Sequence, residues 1–322
     1  MLGEKEVKGT SLNNRIVWIL LAYFVHFIVI GSGILAVLFE LLFERVIPYD
    51  QISDGMIFVL AAYLIPFLPA FIWFFVYTVI SKKNRPIFRS ALYGYGQNTP
   101  GSFLKGLLAG FVTNAICVLA ALLRGDIKLS FNFYADEIPF YLFALVCVCI
   151  QSSTEELWNR GFIMERVWVQ YPVWVAILVN SLIFGALHLM NPGVSVLPIV
   201  NIVIVGIAYS IACWNTESLW FVMAAHTAWN FTQNLIFGLP NSGLVSRISV
   251  FKLEAANMND PLFYDSAFGV EGSLPATIVN IGLAVYFIWS AKKQGRLDEL
   301  NQSIESREKV EVLSTVEERS NA

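Results

Sequence analysis

Apolar residues in this chain come in unbroken blocks long enough to cross a lipid bilayer, and that leaves few folds open. A membrane span needs roughly 20 mostly apolar residues. Eight blocks qualify, at about 16–39, 56–80, 103–123, 138–154 with a helical continuation to about 167, 171–190, 194–214, 217–238 and 274–291. Backbone N–H and C=O groups cannot be satisfied by lipid, so each block is read as a helix. The expected fold class is all-α, a polytopic membrane protein with about eight transmembrane helices. Composition agrees, since 57% of the residues are hydrophobic and only 14% are charged.

Loop charges set the expected orientation. Counting alternate loops, one side holds Lys5, Lys8, Arg15, Lys82, Lys83, Arg85, Arg89, Lys105, Arg160, Arg166, Lys292, Lys293 and Arg296, thirteen in all. The other holds Arg45, Arg124, Lys128, Arg247 and Lys252, five in all. Both termini are therefore expected in the cytoplasm. The first apolar run is too long for a cleavable signal peptide and is read as a true span. Residues 1–291 form the expected bundle, and 292–322, rich in Glu, Lys, Arg, Ser and Gln, a solvated and disordered cytoplasmic tail.

Other classes are set aside on composition. A net charge of −3 with no basic patch gives no reason to expect nucleic acid as a partner. Cys117, Cys147, Cys149 and Cys213 all fall inside expected spans, where thiols act as small apolar groups. Cys147 and Cys149 are two apart on a helix and face different ways, a poor metal pair.

Within this apolar sequence lie three polar constellations: Glu155-Glu156 with Asn159 and Arg160, Phe184 with His188, and His226 with Asn230. An ionised side chain near a bilayer centre costs about 2.5–3.5 kcal/mol on insertion scales, which points to chemistry as the reason for keeping it there. Glu156 and Arg160 are four apart with the acid first, the favoured order for a helical ion pair. Glu155 points about 100° away, on the face of Asn159, with no charge partner in sequence reach. A desolvated, unpaired carboxylate is a better general base near neutral pH, which makes Glu155 the catalytic candidate. The structural alternative is that both acids pair with basic residues on other helices.

His226 and Asn230 share one helix face and can point at one ligand atom, as a pair of donors to a developing oxyanion would. A plain helix–helix hydrogen-bonding pair is the alternative. His188 closes its span, with Phe184 one turn earlier on the same face. His26, with no polar neighbour, is assigned to packing.

These three ordered motifs resemble those of the CPBP family, the CAAX type II prenyl endopeptidases and bacteriocin-processing, Abi-type membrane proteins. The resemblance covers about 138–235 directly, and the eight-span layout is similar. Segments 237–243 and 269–273 look more like bacterial members. The resemblance implies an intramembrane endopeptidase in a bacterial cell membrane, acting on a peptide or protein substrate that is prenylated or a bacteriocin-like leader. It implies that Glu155 and His188 activate a water, His226 and Asn230 hold the oxyanion, and Glu156 and Arg160 support the site. No cofactor is expected. A zinc version with Glu155, His188 and His226 as ligands is the alternative, but no His-Glu-x-x-His helix is present and Asn230 would be idle. A transporter or proton relay would need paired repeats or broken helices that are not seen. A silent immunity or scaffolding protein would not need all four residues.

Overall fold

The computed structural model describes residues 16–257 and 260–297. Every expected span forms a helix: α1 Ile16–Val46, α2 Asp54–Ile80, α3 Pro100–Arg124, α4 Ala135–Trp168, α5 Val173–Leu187, α6 Val196–Thr216, α7 Leu219–Phe231 extended by a π-helical turn Thr232–Ile236, and α8 Leu274–Lys293. Six of these, all but α5 and α7, are long and apolar enough to cross a membrane. The other two of the expected eight run between the same two ends of the bundle without meeting that length and composition on their own. The α5 helix has only 15 residues, and α7 is interrupted by polar side chains that face inward. The chain is an integral membrane protein all the same. The expected tail divides: Lys292 and Lys293 form the last turn of α8, whereas 298–322, like Lys5, Lys8 and Arg15, lies outside the described residues.

The caps were written locally. Thr99 Oγ1 accepts from Ser102 N at 3.1 Å ahead of Pro100, which starts α3, and Gly125 ends it in the left-handed region at φ 80°. Ser218 Oγ accepts from Phe221 N at the start of α7. The α3 and α7 helices then meet backbone to backbone. An added Cβ at Gly106 would lie 2.1 Å from Phe221 O, and one at Gly110 would lie 2.0 Å from Ala225 O. This small-xxx-small seam fixes α7, and with it His226.

Burial changes along α4. Its first half turns Ile138, Leu142 and Val146 outward, whereas every residue from Gln151 to Glu165 is buried. The helix thus enters the middle of the bundle. There Trp158 is enclosed by Tyr23, Phe27 and Phe74, with Nε1 donating to Ala70 O at 3.1 Å. His26 stacks on Tyr77 at 3.8 Å between α1 and α2, in the packing position expected for it.

Loops that follow odd-numbered helices gather at one end. Arg247 pairs with Asp54, and Asn191 Nδ2 donates to Ser242 O at 3.3 Å. Strand β1 (Ile127–Phe131) pairs antiparallel with β2 (Phe251–Ala256), with a register shift between Lys128 and Leu129. At the opposite end Arg296 bonds Glu217 and Trp214 O, and Asn98 bonds Ser218 and Trp220. The alternation assumed in counting loop charges is therefore the one adopted, and the sheet lies at the Lys- and Arg-poor end.

Candidate active site

A cavity of about 310 Å³ opens among α1, α2, α4, α5, α6, α7 and the α7–α8 loop. Its volume suits a short peptide segment more than a folded domain. Glu155, Phe184, His188, His226 and Asn230 all line it, so the three sequence constellations converge on one space. Glu156, Asn159 and Arg160 stand behind the lining, each at most 1% exposed.

The rear layer is built on Glu156. Its Oε1 accepts from Arg160 Nη1 and from His226 Nδ1, both at 3.0 Å. The Arg160 pairing is the one the four-residue spacing predicts; the His226 contact is additional. Arg160 also donates to Gly206 O at 3.1 Å and Ser210 Oγ at 3.4 Å. Its guanidinium carbon lies 4.6 Å over the Phe184 ring, a cation–π contact. Phe184 in turn meets the His188 ring edge-on at 4.9 Å and the His226 ring at 6.0 Å. One aromatic side chain thus spaces the arginine and both histidines. Asn159 Nδ2 bonds back to Glu155 O at 2.8 Å and stiffens the helix beneath the acid.

The front layer runs through amides. Glu155 Oε1 accepts from Gln151 Nε2 at 2.8 Å, Gln151 Oε1 accepts from Asn230 Nδ2 at 3.1 Å, and Asn230 Oδ1 accepts from Asn241 Nδ2 at 3.2 Å. An ionised carboxylate can only accept, so Glu155 fixes the direction of the whole chain of amides. Asn230 uses one N–H on Gln151 and keeps the second. Glu155 Oε2 has no hydrogen-bond partner among the described residues and faces His226 Nε2 at 3.8 Å. Its neutrality of surroundings is thus less complete than sequence spacing implies, because His226 stands beside it. His188 is oriented by Nδ1 against Phe184 O at 2.8 Å, leaving Nε2 toward the cavity side.

Sequence reading missed Gln151, Asn241 and Glu271, which also line the cavity. Gln151 had a signal, being four residues before Glu155 on one helix face. Asn241 and Glu271 lie in a long loop and had none. Also unforeseen are the π-helical segments Phe24–Leu35, Leu60–Leu64, Leu157–Met164 and Thr232–Ile236. The first two carry cavity residues Phe27 and Tyr63, and the others start just after Glu156 and Phe231. Such widened turns recur at functional sites because they re-aim side chains.

For zinc, a fit requires three side chains about 2.0–2.2 Å from one point. Among the described residues no three His, Cys, Asp or Glu side chains are grouped to hold a metal ion. Of the alternative set Glu155, His188 and His226, Glu155 Oε2 and His226 Nε2 lie 3.8 Å apart.

Residues 137–232 match the family described as Rce1-like, Type II CAAX prenyl endopeptidase Rce1-like. The matched stretch is similar to that family and runs from the start of α4 to the first residue of the π-helical turn that extends α7. All the residues of the three constellations fall inside it. At the level of that family the activity class is proteolysis within a membrane. No curated protein and no solved structure matches the chain.

Proposed function

We propose that this protein is an intramembrane endopeptidase of the CAAX prenyl protease type, with Glu155 as general base. One observation carries the reading: Glu155, His188, His226 and Asn230, from three helices, meet on one cavity, with one carboxylate oxygen left unpaired and facing His226. A substrate peptide enters the cavity, and Glu155 Oε2, with His188, takes a proton from a water that attacks the scissile carbonyl. Glu156 holds the Nδ1 proton of His226, so proton exchange at that ring occurs at Nε2, which faces Glu155. The protonated Nε2 and the second N–H of Asn230 are the donors to the tetrahedral oxyanion. Glu155 then passes its proton to the leaving amine. Gln151 is a positioning residue that locks base and oxyanion donor to one another.

The substrate is a prenylated peptide or a leader peptide, and the enzyme sits in a bacterial cell membrane with both termini cytoplasmic. No metal is required in this reading. The test is cleavage of a synthetic prenylated peptide by the purified protein. Asn230→Ala is expected to lower the rate by about 10²–10³ with little change in binding, as loss of one oxyanion donor does. Phenanthroline is expected to leave the parent rate unchanged. Activity that disappears on chelation and returns with added zinc would replace the base mechanism with a metal one.

A further inference from the structure

Between Asp54 and Asp126 the chain has no acidic residue, yet Lys82, Lys83, Arg85 and Arg89 crowd into the connection that follows α2. The first two sit on a turn of 3-10 helix, Lys82–Asn84, and the others on a surface helix, Arg85–Tyr93. That helix has two unlike faces. Ile87 and Ala91, four apart, are buried in the core that also holds Trp158 and Phe162. Arg85 and Arg89, also four apart, are exposed on the opposite face. A basic run on a loose loop would be a solvated surface and nothing more, but this one is held in place. Asn98 Nδ2 donates to Ser90 O at 3.1 Å and to Ala91 O at 3.0 Å, and its Oδ1 accepts from Trp220 N at 3.1 Å, which fastens the surface helix to the start of α7. Trp220 Nε1 donates to Ala91 O at 3.2 Å.

Lys82, Lys83 and Arg85 have no carboxylate partner among the described residues. Arg85 Nε donates to Val79 O at 3.3 Å, near the end of α2, and its terminal amino groups stay unpaired among those residues. The surroundings of these cations select the partner. Ile80, the last residue of α2, is 71% exposed, and Leu104, beside Lys105 in α3, is 64% exposed. In a chain that spans a bilayer such side chains face lipid, so hydrocarbon reaches to within two residues of Lys82.

We infer that Lys82, Lys83 and Arg85 form a docking face for the headgroup of an anionic phospholipid. Phosphate oxygens accept charge-assisted hydrogen bonds from ammonium and guanidinium groups. A zwitterionic headgroup brings its own cation, for which this segment offers no acid. Each cation beside an anionic lipid surface is worth about fivefold in binding. None of the three residues lines the cavity, so the docking face stands whether or not the protein cleaves peptides.

The experiment offers the full-length protein, purified in a neutral detergent, equal amounts of phosphatidylglycerol and phosphatidylcholine with the same acyl chains. Native mass spectrometry reads which lipid is retained. The parent is expected to prefer phosphatidylglycerol at least tenfold, and Lys82→Gln/Lys83→Gln to lower that preference by about tenfold. The matched control is Lys292→Gln/Lys293→Gln, which removes two exposed charges from the same end of the bundle. It is expected to leave the preference within about twofold of the parent's, because a general attraction to a cationic end would treat both pairs alike. No preference in the parent, or equal losses in the two variants, overturns the inference. Should Lys82→Gln/Lys83→Gln not fold, the parent decides by salt: a headgroup held by exposed charges loses its preference as ionic strength rises, and a preference indifferent to salt rejects the docking face.

Discussion

Glu156 carries more of this site's structure than its neighbour, although the two acids look alike in sequence. It neutralises Arg160 and orients His226 through a single oxygen. Removing one partner of a buried ion pair typically costs about 3–5 kcal/mol. Glu156→Gln is therefore expected to lower the melting temperature of the purified protein by on the order of 10 °C, with activity falling in consequence. A variant as stable as the parent but inactive would show that the roles of Glu155 and Glu156 are exchanged. Glu271 gives a pH signature of the opposite kind. Its native pKa, about 7, exceeds its ordinary 4.5, so the native state holds a proton that the unfolded chain has released. Its contribution to stability is full below 4.5 and is lost as pH rises through 7. Melting temperature is expected to decline across that window in the parent and to be flatter in Glu271→Gln; identical slopes would contradict the assignment. At this scale the sequence shows Glu156 with Arg160 because helical spacing is local. It does not show His226 on Glu156, a contact 70 residues apart.

At the scale of elements, the site depends on how closely α7 is held. The seam at Gly106 and Gly110 leaves no room for a methyl group. Gly110→Ala is expected to push α7 outward, lower thermal stability and lose most activity through displaced His226 and Asn230. Gly282→Ala, at a helix position where an added Cβ meets nothing within 4 Å, is expected to be neutral or slightly stabilising because alanine costs less helix entropy. Equal melting curves for both variants would show that the seam does not position the site. All eight helices are legible as apolar blocks, with ends displaced by a few residues. The strands β1 and β2 are not, since each is five or six residues long and pairs across more than 100 residues. The π-helical turns are also hidden, because no local residue pattern marks them.

For the molecule as a whole, the loop residues lining the cavity, Asn191, Asn241, Ser242, Leu244 and Glu271, all belong to the Lys- and Arg-poor end. From the charge bias expected of membrane proteins, we propose that this end faces away from the cytoplasm. A membrane-impermeant maleimide is expected to label Lys252→Cys in intact cells and Lys292→Cys only after permeabilisation. Both positions are exposed, and of the native cysteines only Cys149 is not fully buried. The reverse labelling pattern would invert the orientation.

The group that activates water is the centre of the proposed chemistry, and cleavage of a prenylated peptide by Glu155→Gln tests it most directly. The substitution keeps the shape of the side chain and the acceptor for Gln151 while removing the base. The expected result is loss of hydrolysis with a melting temperature equal to the parent's, and wild-type turnover in that variant would contradict the assignment.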